Sequence, residues 1–115
     1  MENVLNGQMS AVADTLSAED WNNVVVAYEP VWAIGTGVVA TPAQAQEAHA
    51  YLRDWMTKRL GKQTADKVRV LYGGSVSAKN CKELIGLPDV DGFLVGGASL
   101  KAEFNDIINT TQDSA

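Results

Sequence analysis

Cysteine is nearly absent from this sequence, which contains only Cys81 among its 115 residues. An internal disulfide is therefore impossible, and so is a zinc site built from several cysteines. The lysines and arginines form no cluster and the net charge is −5, which argues against nucleic acid or an anionic membrane surface as the main partner. No apolar run approaches the roughly 20 residues that span a membrane, and the first residues lack the pattern of a secretory signal. We therefore expect a cytoplasmic chain with no membrane partner.

The composition is that of one globular domain. Hydrophobic residues make up 46% and charged residues 20% of the chain, which is too apolar for disorder. The length fits one domain and no linker is visible, so we expect a single unit over residues 1–115 without a second domain.

The order of apolar patterns predicts one helix followed by three strand–helix units. The predicted strands are short apolar runs at 24–28, 68–72 and 91–95. The first two predicted helices cover 4–16 and 42–60. A shorter helix is predicted to be capped by Ser77, to run through Ile85 and to end at Gly86, and a last helix begins near Phe104, with a polar tail from Thr110. Strands that alternate with helices predict an α/β fold, with parallel strands joined by right-handed crossovers.

The start of the second helix has the clearest local signal. Thr41-Pro42-Ala43-Gln44 predicts a capping box with proline in the first turn, and Gly61 predicts the end of that helix. The spacing of apolar residues predicts its buried face: Ala45, Ala48, Leu52, Trp55 and Met56. In the first helix it predicts a face of Val4, Leu5, Met9, Val12 and Leu16. The run from Val24 to Tyr28 predicts a strand buried on both faces.

Each predicted strand leads into a glycine-containing stretch. The stretch from Ala27 to Gly37 reads Ala-Tyr-Glu-Pro-Val-Trp-Ala-Ile-Gly-Thr-Gly. Tyr72 to Ser75 reads Tyr-Gly-Gly-Ser, and Asp91 to Leu100 reads Asp-Gly-Phe-Leu-Val-Gly-Gly-Ala-Ser-Leu. In order and spacing these stretches resemble the triosephosphate isomerase family, and the resemblance covers nearly the whole chain.

That resemblance implies a partial (β/α)8 barrel, in which this chain supplies the sixth, seventh and eighth strands with their flanking helices. It also implies that Glu29 is the base that moves a proton between the adjacent carbons of dihydroxyacetone phosphate and glyceraldehyde 3-phosphate. The implied phosphate-binding residues are Gly35, Ser75, Gly96 and Gly97, with a short helix beginning near Gly97. The implied lid and lid-holding residues are Trp32, Ile34, Thr36, Gly37 and Tyr72. Glu29, Ser75 and Gly97 are expected to cluster at one end of the sheet, and neither metal nor cofactor is implied.

The resemblance is incomplete in two respects. The family's catalytic lysine and histidine have no counterpart in this chain, and Val38-Val39-Ala40 replaces the family's more usual Lys-Thr-Ala at the end of the lid. One reading is a triosephosphate isomerase of glycolysis and gluconeogenesis, completed by residues elsewhere. The other is a non-catalytic barrel fragment that binds phosphate weakly or needs a complementing partner. The family is homodimeric, but most of its dimer contacts are expected to be missing here.

Several reactive or aromatic residues have a more ordinary interpretation. His49 is expected to be a solvated or partly packed helix residue rather than a catalytic one. Cys81 is expected to be a small packing residue, and Trp21 and Trp55 are expected to pack in the core or on the barrel exterior. By resemblance, Arg53 and Asp89 form a structural ion pair.

Overall fold

The computed structural model describes residues 2–30 and 40–113. In chain order, the helices and strands are α1 (Glu2–Thr15), a 3-10 helix (Asp20–Asn23), β1 (Val25–Tyr28), α2 (Pro42–Leu60), α3 (Lys62–Ala65), β2 (Arg69–Tyr72), α4 (Cys81–Ile85), β3 (Gly92–Phe93), a second 3-10 helix (Gly97–Leu100) and α5 (Phe104–Asp113). The predicted alternation of strands and helices is confirmed. The short α3 was not expected, β3 is shorter than predicted, and α5 continues through the expected polar tail.

The strands form one sheet in the order β1-β2-β3, and they are parallel, as the sequence predicted. Val25 is paired with Arg69 and Tyr28 with Tyr72, while Tyr72 is also paired with Phe93. Because the strands are parallel, all three carboxyl ends lie at the same end of the sheet. The fold is thus three strands of a parallel α/β architecture with flanking helices.

Helix α2 begins and ends where the sequence predicted. The Thr41 hydroxyl accepts a hydrogen bond from the Gln44 amide at 3.1 Å, and the Gln44 side chain accepts one from the Thr41 amide at 2.9 Å. This capping box satisfies two amides that would otherwise lack partners within the helix. Gly61 ends the helix with a φ of 89°, a conformation that glycine adopts without steric cost.

The two faces of the sheet have different surroundings. The face that carries Val70 and Tyr72 is covered by helices, and both residues are fully buried. On the opposite face Val25 and Leu94 are each 53% exposed. The prediction that β1 is buried on both faces is therefore wrong, because no described part of this chain covers the second face.

The core consists of two clusters on the covered face. One joins α1, α2 and the sheet and includes Met9, Trp21 and Leu52. The other joins β2, α4 and α5 and includes Tyr72, Leu84 and Ile107. The predicted apolar face of α1 is only partly correct. Its buried residues are Leu5, Met9 and Ala13, whereas Val4 and Val12 are exposed.

Candidate active site

The carboxyl ends of the three strands meet around Gly73. Beyond the strands themselves, the Gly73 amide donates to the Tyr28 carbonyl at 2.7 Å and the Leu94 amide donates to the Tyr72 carbonyl at 3.0 Å. A Cβ atom built on Gly73 would lie 3.7 Å from both Glu29 Cβ and Leu94 Cδ2. Glu29 and Leu94 therefore both lie next to Gly73 on the open face of the sheet.

Glu29 directly follows β1 and is exposed at the carboxyl end of the sheet. The following residue, Pro30, is fully buried and fixes the direction in which the chain leaves the strand. A carboxylate in this position can accept a proton from a small molecule that lies on the open face. Leu94, near the same Gly73, offers an apolar surface that would help to exclude water from a bound ligand.

The loop after β2 passes directly beneath the Tyr72 side chain. A Cβ atom on Gly74 would lie 2.2 Å from the Tyr72 hydroxyl oxygen and 2.4 Å from Cζ, so only glycine fits there without displacement. The Ser75 carbonyl accepts a hydrogen bond from the Asn80 side-chain amide at 2.8 Å, which ties the loop to the start of α4. Ser75 itself is exposed.

Ser77 does not cap α4 as predicted. The Asn80 side-chain oxygen accepts a hydrogen bond from the Ser77 amide at 2.8 Å, so these residues form a turn and the helix starts later, at Cys81. The predicted end at Gly86 is confirmed.

Gly96 and Gly97 follow β3 and are both exposed. The predicted short helix near Gly97 is a four-residue 3-10 helix, Gly97–Leu100. The Ser99 amide and hydroxyl both donate to the Gly96 carbonyl, at 2.9 and 2.6 Å. A helix this short has a small dipole, so its contribution to anion binding would come from individual exposed amides.

The predicted site residues fall into two groups. Glu29, Tyr72, Ser75, Gly96 and Gly97 all lie at or just beyond the carboxyl ends of the strands. Trp32, Ile34, Gly35, Thr36 and Gly37 lie outside the described residues. Among the described residues, no three histidine, cysteine or acidic side chains are grouped so that they could hold a metal ion.

His49 differs from the sequence-based expectation. It is fully buried between α2 and the sheet rather than solvated or partly packed. Its Nδ1 lies 3.2 Å from the Asp89 carbonyl oxygen, and its ring contacts those of Tyr28 and Tyr72. The helical spacing from Ala45 and to Leu52 and Met56 would have placed it on the buried face, had a histidine been considered there.

The expected Arg53–Asp89 ion pair is present, with 3.3 Å between Arg53 Nε and Asp89 Oδ1. Arg53 also pairs with Asp91, whose carboxylate accepts a hydrogen bond from the Val70 amide at 2.8 Å. This network joins α2, β2 and the segment before β3, so it fixes the helix over the sheet.

Cys81 is buried, with its sulfur 3.5 Å from the Thr110 hydroxyl and 3.7 Å from the Ala78 carbonyl. That position between α4 and α5 agrees with its predicted packing role. Trp21 is buried and Trp55 is partly buried against the same core cluster, as expected. Within 2–30 and 40–113, no helix is both long and apolar enough to cross a membrane.

Comparison with known proteins agrees with the resemblance seen in the motifs. The family model for triosephosphate isomerase matches residues 1–111. The chain is 58% identical over 106 residues to a triosephosphate isomerase of Paracoccidioides lutzii, covering 92% of this chain and 43% of that protein. It is 60% identical over 107 residues to a cytosolic triosephosphate isomerase of Oryza sativa subsp. japonica, covering 93% of this chain and 42% of that protein. The chain thus spans less than half the length of these relatives, and it belongs to the triosephosphate isomerase family.

Proposed function

We propose that this chain supplies the general base and phosphate-binding loops of an enzyme that interconverts dihydroxyacetone phosphate and glyceraldehyde 3-phosphate. The observation that carries the proposal is the position of Glu29. It stands exposed on the open face of the sheet, and its Cβ lies 3.7 Å from the point where a Gly73 side chain would begin. A substrate on that face would reach the carboxylate and the glycine loops together.

The proposed reaction uses Glu29 for both proton transfers. Its carboxylate takes a proton from the hydroxyl-bearing carbon beside the substrate carbonyl, which gives an enediolate. The proton of that hydroxyl group moves to the former carbonyl oxygen, and Glu29 returns its proton to the neighbouring carbon, so that a new carbonyl forms where the hydroxyl group was. The oxygen charge of the enediolate must be stabilised by groups from outside this chain, because the family's lysine and histidine are absent. Losing even one such group commonly lowers the rate about 10²- to 10³-fold.

Substrate phosphate would be held by backbone amides of the loops, with Gly35, Ser75, Gly96 and Gly97 as contributors. The exposure of Ser75, Gly96 and Gly97 supports this assignment. Trp32, Ile34, Thr36 and Gly37 would form the lid. The Tyr72 hydroxyl, which is buried and has no partner among the described residues, supports a role in holding that lid.

The rest of the barrel would complete the enzyme, whether it comes from the same polypeptide or another. The exposed face with Val25 and Leu94 supports this, because apolar strand residues of a closed barrel are buried by the other strands. A homodimer would then form through the complementing part. A cytoplasmic location is proposed as well, in line with the name of the rice relative.

A second candidate function is phosphate binding without catalysis. The absence of the catalytic lysine and histidine favours it for these 115 residues alone. Under this alternative the chain would bind triose phosphates weakly through Ser75, Gly96 and Gly97, and no complementing fragment would restore turnover.

A coupled isomerase assay separates the two candidates. The 115-residue chain is measured alone and after co-expression with the first five strands of the rice relative. We expect no turnover above buffer for the chain alone and saturable turnover for the complex. Glu29→Gln should abolish that turnover, whereas Glu47→Gln, which alters an exposed carboxylate on α2, should not change it. A soluble stoichiometric complex without activity would contradict the isomerase proposal.

A further inference from the structure

His49 links three elements of the fold from inside the protein. It is carried by α2 and is fully buried. Its Nδ1 is 3.2 Å from the Asp89 carbonyl oxygen, just before β3. Since a carbonyl only accepts hydrogen bonds, Nδ1 carries the proton of the neutral ring. Nε2 is then an acceptor, and it has no partner among the described residues.

The same imidazole packs against Tyr28 and Tyr72, the last residues of β1 and β2. Its ring centroid is 5.9 Å from that of Tyr28, edge to face, and 6.2 Å from that of Tyr72. Tyr72 in turn lies over Gly74, with its hydroxyl oxygen 2.2 Å from where a Cβ on that glycine would be. A continuous path of contacts therefore runs from α2 through His49 and Tyr72 to the loop Gly73-Gly74-Ser75.

The surroundings of His49 oppose a positive charge. Burial lowers the pKa of His49, and the Arg53 guanidinium lowers it further. The hydrogen bond to the Asp89 carbonyl and the carboxylates of Asp89 and Asp91 act the other way, but the net direction is downward. Both carboxylates are already paired with Arg53. The groups facing the ring from β1 and β2, Tyr28 and Tyr72, are neutral, and burial raises the pKa of each.

We propose that His49 is a pH-dependent positioning residue, which in its neutral form holds Tyr72 against Gly74 and on protonation releases the loop Gly73-Gly74-Ser75. Protonation would place an N–H on Nε2 in a buried site without an acceptor for it among the described residues. The imidazolium would have to move toward water, and Tyr72 would lose its support. The inference rests on the proposed function in one respect, namely that this loop binds the substrate phosphate.

The pH window follows from the direction of the shift. In the unfolded chain His49 should titrate near pH 6.5, and in the folded chain its pKa is lower. The unfolded state therefore binds the proton first as the pH falls. The contribution of neutral His49 to the free energy of unfolding is therefore fully present above about pH 6.5. Below that pH it is lost, by up to about tenfold in the unfolding equilibrium constant per pH unit, until the folded-state pKa is reached.

The experiment is an NMR titration of the 115-residue chain from pH 7.5 to pH 4.5, in which the imidazole signals belong to His49 alone because the chain has one histidine. We expect its midpoint to lie below that of an unfolded peptide containing His49. The amide signals of Gly73 and Gly74 and the ring signals of Tyr72 should shift with the same midpoint. The proposal would be overturned if the His49 midpoint equalled that of the unfolded peptide, or if the Gly74 signals did not shift with the His49 titration.

Two variants extend the test. His49→Gln keeps a neutral donor toward the Asp89 carbonyl, so the Gly73 and Gly74 signals should no longer move with the histidine midpoint. Glu47→Gln, at an exposed position on the same helix, should leave the titration unchanged. If His49→Gln does not fold, the proposal is still tested in the unsubstituted chain by whether the Gly74 amide signal shifts with the His49 midpoint.

The complemented enzyme separates this inference from the proposed function. If the complex is active, KM for triose phosphate should rise as the pH falls through the titration midpoint of His49, and His49→Gln should remove that rise. An active complex in which Gly74 does not respond overturns the positioning role. An inactive complex in which Gly74 follows His49 supports the positioning role and contradicts the isomerase proposal.

Discussion

Replacing Gly74 with alanine tests how firmly Tyr72 is held against the loop after β2. An alanine Cβ would lie 2.2 Å from the Tyr72 hydroxyl oxygen, 2.4 Å from Cζ and 2.9 Å from Cε1. These distances are well inside van der Waals contact, so either the ring or the loop must move. Tyr72 is fully buried and packed by the second core cluster, which leaves the ring little room to shift.

The expected cost is that of overpacking a filled site, about 1–3 kcal/mol of unfolding free energy. Gly7→Ala provides the opposite control. Gly7 lies within α1 and nothing stands within 4 Å of an added Cβ there. Alanine should stabilise that helix by about 0.5–1 kcal/mol, because glycine loses more backbone freedom on folding. Two substitutions of the same chemistry should therefore change stability in opposite directions.

Urea unfolding followed by tryptophan fluorescence measures both variants, with stability obtained by linear extrapolation. A double-mutant cycle with Tyr72→Leu, which removes the atoms in conflict, should show that part of the Gly74→Ala cost disappears. If Gly74→Ala is as stable as Gly7→Ala, the Tyr72 ring does not occupy the space above the loop. The same result would also weaken the path from His49 to Gly74.

Three further predictions follow from individual contacts. Thr41→Ala should destabilise α2 by about 1 kcal/mol in urea unfolding, because the Gln44 amide loses its acceptor, whereas Thr41→Ser should retain most of that stability. Arg53→Met should cost about 1–3 kcal/mol, since Asp89 and Asp91 lose their shared partner, and Arg53→Lys should cost less but not restore both pairs. Glu29→Asp in the complemented enzyme should lower kcat far more than it raises KM, because the shorter side chain draws the base back from the substrate carbon. Equal effects on both constants would contradict a role confined to proton transfer.

Local signals in the sequence were sufficient for the main helices and strands and for their order along the chain, but not for the short α3. The capping box at Thr41 and the stop at Gly61 depend on hydrogen bonds and backbone angles within a few residues, so their chemistry can be recognised directly. Alternating strands and helices likewise predicted the parallel sheet. The motif resemblance gave the family, which the comparisons support over residues 1–111.

Burial was decided by tertiary structure. Val25 has the residue type of a buried strand but is 53% exposed, because burial depends on what covers a face and not on the residue itself. His49 has the residue type of a surface position but is fully buried, since its place on α2 directs it at the sheet. Residue type alone could give neither result. The exposure of Val25 depends on what covers the sheet, and the burial of His49 depends on its helical spacing from Ala45 and Leu52. The sequence alone thus determined which main helices and strands form and to which family the chain belongs. Only the packing of α2 over the sheet decided that His49 contacts Tyr72 and, through it, the loop at Gly74, because Tyr72 lies 23 positions beyond His49 and becomes its neighbour only when the helix packs on the sheet.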